Sequence, residues 1–175
     1  MSLSPTEPSS GGAPVPWVLS SISRVPLVGN LPERLRVGSR SLTLLRAWPR
    51  SRERLALEYS DEAGRRIAGQ WLDPGHGIER LRRLARRTAQ AAPETPVVAI
   101  EALGLLLQAD GADRRLPALA PVVALPGATL VVHRPERRAV VRLTKAVPGL
   151  SVRLPAFAKL VKPGRSRTVA AAGAV

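Results

Sequence analysis

Only three of the 27 basic residues are lysines, and one of them, Lys159, stands inside the short apolar run Phe157–Val161. A strand alternates its side chains, so Phe157, Lys159 and Val161 share one face while Ala158 and Leu160 share the other. An ammonium with apolar neighbours on its own face is expected at the edge of a core, where it would attract phosphate oxygens. The plainer alternative is a lysine that snorkels from a half-exposed strand. A second group of cations, Arg134, Arg137 and Arg138, sits in the turn RPERR between the apolar runs Thr129–His133 and Ala139–Leu143. Guanidinium groups grip phosphates through paired hydrogen bonds, which makes these three candidate phosphate contacts, although a tight exposed turn is equally content with them. Their turn has no glycine, so its backbone cannot approach an anion as closely as a glycine-rich loop does.

The remaining reactive side chains form no such pattern. Asp110 and Asp113 fall in the polar turn Ala109–Arg115, His76 lies between two glycines in an expected loop, and His133 reads as a residue on the hairpin rim. There is no cysteine, and the two histidines stand far apart, so neither a disulfide framework nor a structural zinc site is expected. No catalytic residue and no metal ligand is assigned.

The elements that must position the cations are mostly strands. Thr129–His133 and Ala139–Leu143 read as a hairpin, with Phe157–Val161 as a third strand after the basic, proline-broken loop Thr144–Pro155. A second hairpin pairs Arg54–Ser60 with Arg65–Leu72 across the turn Asp61-Glu62-Ala63-Gly64, and β patterning begins near Ser41. Asp73–Gly77 reads as a loop, and Ile78 to Ala91 as a helix with Ile78, Leu81, Leu84, Ala85 and Thr88 on one face. Val97–Ile100 and Leu103–Gln108 read as strands, Leu116–Ala124 as a short helix or packing segment, and Thr168–Val175 as the first turns of a helix. The expected fold is α+β, an antiparallel sheet with a few helices. Residues 1–38, rich in Ser, Pro and Gly at the start, are expected to be a disordered or weakly ordered tail, and residues 39–175 one domain. Trp48, Tyr59, Trp71 and Phe157 are the few large side chains available to fill its core.

The net charge of +14 favours polyanionic partners, although an arginine-over-lysine bias is also what a GC-rich coding sequence yields by drift. The arginines of the helix, above all Arg80, Arg83 and Arg87, are the candidate surface for nucleic acid; a solvated outer face is the plainer reading. No secretory signal and no apolar run long enough for a membrane span is present, so a cytoplasmic location without membrane contact is expected.

The run Gly111–Leu143 followed by FAKLVKPGR resembles the N-terminal lobe of kinase-like phosphotransferases, the aminoglycoside phosphotransferase and choline kinase group. In that family a hairpin covers the nucleotide phosphates and the next strand carries a lysine that pairs with them. Phe157-Ala158-Lys159-Leu160-Val161-Lys162-Pro163 is similar to that lysine strand, so the resemblance makes Lys159 a nucleotide-binding residue. It implies ATP and magnesium for complete members of the family, a kinase N-lobe-like sheet here, and a nucleotide as partner. Two features depart from the pattern: the hairpin turn lacks glycine, and Thr144–Pro155 lengthens the path to the lysine strand. The catalytic aspartate, its asparagine and the metal-binding aspartate follow the N-lobe in the family. An incomplete phosphotransferase without activity of its own is therefore expected, with an uncovered interlobe surface that favours a missing C-terminal lobe or self-association. The alternative function is a basic nucleic-acid-binding module using the arginine-rich helix.

Overall fold

A computed structural model describes residues 31–147, 149 and 153–163, with only the backbone of His76. Two antiparallel sheets and two helices make up the described chain, the α+β class that the alternating pattern implies. Residues 1–30 and the helical turns expected at Thr168–Val175 lie outside the described residues.

The first sheet has six strands: β1 (Arg34–Val37), β2 (Arg40–Ser51), β3 (Arg54–Asp61), β4 (Arg66–Leu72), β5 (Val97–Ile100) and β6 (Leu105–Gln108). Their spatial order is β1-β2-β3-β4-β6-β5. β1 lies inside the segment expected to be a tail, because Leu35 and Val37 alternate with arginines and bury fully against Leu42. The β3–β4 register sets Leu55 opposite Trp71, Leu57 opposite Gly69 and Tyr59 opposite Ile67. With Leu35, Leu42, Leu105 and Leu107 these residues form the main core on one sheet face. Each fully buried leucine there contributes roughly 2 kcal/mol. Tyr59 is closed off completely, its hydroxyl donating to the Pro32 carbonyl at 3.4 Å, and burial pushes its pKa upward.

Helix α1 (Pro74–Ala91) packs on the opposite face, where Leu81 and Leu84 meet Leu72 and Leu106. It begins four residues before the expected Ile78, so Asp73–Gly77 is not a free loop. Asp73 caps it, its carboxylate accepting the Gly75 amide at 3.0 Å, and Pro74 is preset for the first turn. Ile78 itself is exposed, and the buried stripe starts at Leu81. The expected strand Leu103–Gln108 is split: Glu101–Leu103 form a 3-10 turn and β6 begins at Leu105. The break falls at Gly104, whose carbonyl accepts the Leu72 amide at 2.8 Å.

The second sheet has the order β7-β8-β9, with β7 (Ala128–Arg134), β8 (Arg138–Leu143) and β9 (Ala156–Val161). Its inner face, Ala139, Val141 and Leu143 of β8 with Ala156, Ala158 and Leu160 of β9, packs on α2 (Leu119–Val123) through Leu116 and Leu119.

Gly104 has φ +62, and a β-carbon there would overlap the Leu72 carbonyl. Gly104→Ala should lower stability by about 3 kcal/mol or more. Gly64, at φ +75 with open space around it, should lose only about 1 kcal/mol on the same change. Equal losses of Tm for the two variants would rule out the close approach at Gly104.

Candidate functional site

The outward face of the second sheet carries the sequence-derived lysine. Arg138 pairs with Val161, Val140 with Lys159 and Arg142 with Phe157, so these six side chains stand on one side. That side faces away from the core. Lys159 is exposed and Phe157 is 63% exposed, which corrects the expectation that the lysine is held at a core edge and that Phe157 fills a core. The apolar side chains that pack inward on β9 are Ala156, Ala158 and Leu160, small enough to lie close to α2. The outward face therefore offers a half-buried aliphatic floor, Val140 and Val161, beside three exposed cations, Arg138, Arg142 and Lys159. Arg142 was missed in the sequence, though Arg138, Val140 and Arg142 alternate in register with the lysine strand.

Of the three hairpin arginines, Arg138 lines that face with Lys159. Arg134 lies over the Trp48 ring, 5.1 Å from its centre, and its Nε is buried without a hydrogen-bond partner among the described residues. Arg137 and Arg138 are exposed. Glu136 takes the left-handed conformation, φ +62, at a place where glycine is the usual solution. What holds it there is a buried polar seam between the two sheets.

Asp113 is the centre of this seam. Its Oδ2 accepts the Glu136 amide at 2.7 Å and lies 2.9 Å from His133 Nε2, and its Oδ1 accepts the Arg115 amide at 2.8 Å. Burial by itself would raise its pKa. The His133 hydrogen bond and charge, with the amides of Glu136 and Arg115, outweigh it and hold the carboxyl below the usual range. The polar turn Ala109–Arg115 is thus a structural hub, not a solvated connection. His133 is buried at 2% exposure, a correction to its reading as a rim residue. Both side chains of the pair are closed to solvent, which suits orientation of the turn and gives no access to a substrate.

Around the seam, Arg114 Nε donates to Glu136 Oε1 at 2.7 Å and Arg54 lies 3.7 Å from Glu136 Oε2. Arg50 sits at a register shift of β2, and its Nη2 donates to the Pro135 carbonyl at 2.7 Å. The bulge turns Arg50 toward the hairpin of the other sheet. Gln70 donates to Gln108, which donates to the Ala112 carbonyl, fixing the other end of the hub.

On α1, Arg80, Arg83 and Arg87 recur at helical spacing and come together with Arg54, Arg114 and Arg115 around one concavity of about 300 Å³. Arg82 turns away, bonded to Glu79 at 2.7 Å and to Glu101 at 2.7 Å. Sequence periodicity picked out the helical three; nothing in sequence distance indicates that Arg54, Arg114 and Arg115 join them. For His76 only the backbone is described, within the first turn of α1.

No protein-family model, curated protein or solved structure matches this chain.

Asp113→Asn keeps the shape of the hub and removes its charge, and should cost about 3 kcal/mol in urea unfolding. An unfolded aspartate titrates near pH 4. The folded value is lower, so the stability Asp113 contributes is complete above that range and is lost as pH falls through the folded value. The variant should therefore lose less stability than the parent between about pH 5 and pH 2. Parallel acid profiles for the two proteins would contradict this account of the seam.

Proposed function

We propose that this chain is the nucleotide-binding part of a kinase-like phosphotransferase, with Lys159 as its phosphate-pairing residue. The reading is supported by one observation above all: three consecutive antiparallel strands carry Lys159, midway along the edge strand β9, on an outward face that is both apolar and cationic. Val140 and Val161 would lie against a base, while Arg138, Arg142 and Lys159 would draw the phosphate chain. Among the hairpin arginines this role falls to Arg138; Arg134 is engaged with Trp48 and Arg137 stands at the turn tip. Transfer of a phosphoryl group needs, in addition, carboxylates that hold magnesium and accept a proton. The proposal assigns this chain nucleotide holding and no transfer step, with ATP and magnesium as the ligands the resemblance implies.

The exposed Phe157 supports the same reading, since an aromatic ring on an open sheet face is relieved when a second body covers it. A nucleic-acid surface along α1 is the weaker reading. Arg82 is committed to two glutamates, and Arg80, Arg83 and Arg87 line a concavity rather than a flat stripe. No helix among the described residues is long and apolar enough to cross a membrane.

Titration of the chain with magnesium-ATP, followed by Trp fluorescence or amide shifts, tests the proposal. Lys159→Ala should weaken binding about tenfold and Arg142→Ala by a few fold. A chain that binds no nucleotide, or one whose affinity ignores Lys159, would falsify it.

A further inference from the structure

The arginine-lined concavity shares no residue with the Lys159 face and has a separate chemistry. Six guanidinium groups surround about 300 Å³: Arg80, Arg83 and Arg87 from α1, Arg54 from the start of β3, and Arg114 and Arg115 from the hub turn. Leu72 and Leu84 form its apolar floor. Among the described residues the single acidic group in its wall is Glu136, already shared by Arg54 and Arg114. Among the described residues, the side chains of Arg80, Arg83, Arg87 and Arg115 have no carboxylate partner. Like charges gathered on a low-dielectric floor repel one another, and burial together with Arg80, Arg114 and Arg115 lowers the pKa of Arg54 against the pull of Glu136.

Such a cluster attracts anions, and Arg80, Arg83, Arg87 and Arg115 are open to solvent and so reachable by one. Its geometry is set in advance: the Asp113 hub fixes Arg114 and Arg115, Gln70 accepts from Arg54 at 2.9 Å, and α1 is packed through Leu81 and Leu84. The volume lies at the small end of ligand sites, roughly 300–1,000 Å³, and the shape is concave. A nucleic-acid duplex would need a long open surface, whereas a short chain of phosphates can be surrounded from several sides.

We infer that this concavity binds a compact polyanion carrying two or more phosphate groups, independently of the nucleotide face. Calorimetric titration of the full chain with inorganic pyrophosphate and tripolyphosphate at about 50 and 150 mM salt tests it. The expected result is saturable binding of one tripolyphosphate per chain, tighter than pyrophosphate. Arg83→Ala and Arg87→Ala should each weaken it about tenfold, whereas Arg86→Ala, the same charge change on α1 outside the concavity, and Lys159→Ala should leave it within about twofold. Because the pocket arginines repel each other, Arg83→Ala without ligand should melt no lower than the parent, which separates lost binding from lost folding. Tripolyphosphate should raise the Tm of the parent and not that of Arg83→Ala. The inference is overturned by binding that does not saturate, by equal losses in Arg83→Ala and Arg86→Ala, or by loss in Lys159→Ala alone. It is overturned equally if a mixed-sequence oligonucleotide binds more tightly than tripolyphosphate with an affinity that grows with its length.

Discussion

A carboxylate with no access to water holds the two halves of this molecule in register. Asp113 sits between a six-stranded sheet and a three-stranded one, each with its own apolar core, and its oxygens accept from both the hub turn and the β7–β8 turn. A buried charge is stable only when its lone pairs are filled, and here two amides and an imidazole fill them. The positions of Arg114, Arg115 and Glu136, and so of every cation near them, follow from that one group.

Around this point a strongly basic chain divides its cations into two populations. Arg50, Arg54, Arg65, Arg82 and Arg114 are tied to carbonyls, amides or carboxylates of the fold. Arg80, Arg83 and Arg87 are gathered on one side of a helix with no such partner among the described residues, and Lys159 stands with Arg138 and Arg142 on an open sheet. The strain of a left-handed Glu136, on the order of 1–2 kcal/mol, belongs to the first population's work. Its amide reaches Asp113, as a glycine's would, and its carboxylate faces two arginines, contacts that glycine at the same position would lack.

Much of the sheet was legible because period-2 patterning and turn chemistry agreed. The runs Leu55-Leu57-Tyr59 and Ile67-Gly69-Trp71 lie on one face, as their alternation requires, and Thr129–Leu143 folds back as a hairpin. Misreadings arose where a local signal pointed two ways. Asp73-Pro74 resembles a loop but is a helix start, and Gly104 interrupts an apolar run with a backbone approach invisible to periodicity. On β9 both alternating sets are apolar enough to face inward, and the smaller one does, since Ala156 and Ala158 fit beneath β8 while Phe157 does not. The Asp113–His133 pair and the gathering of Arg54 with Arg83 depend on sequence separations of 20 and more residues, which no local pattern encodes.

Among the described residues the strand β9 pairs with β8 along one side, so its other row of amides and carbonyls is a border of the sheet. Borders of this kind recruit foreign strands and drive copies of a protein to stack. Two of the three lysines in the chain, Lys159 and Lys162, fall on this strand or directly after it, and Pro163 follows. Flexible ammonium groups and a residue without an amide hydrogen are unwelcome in an extended stack. The border thus carries features that discourage edge-to-edge stacking.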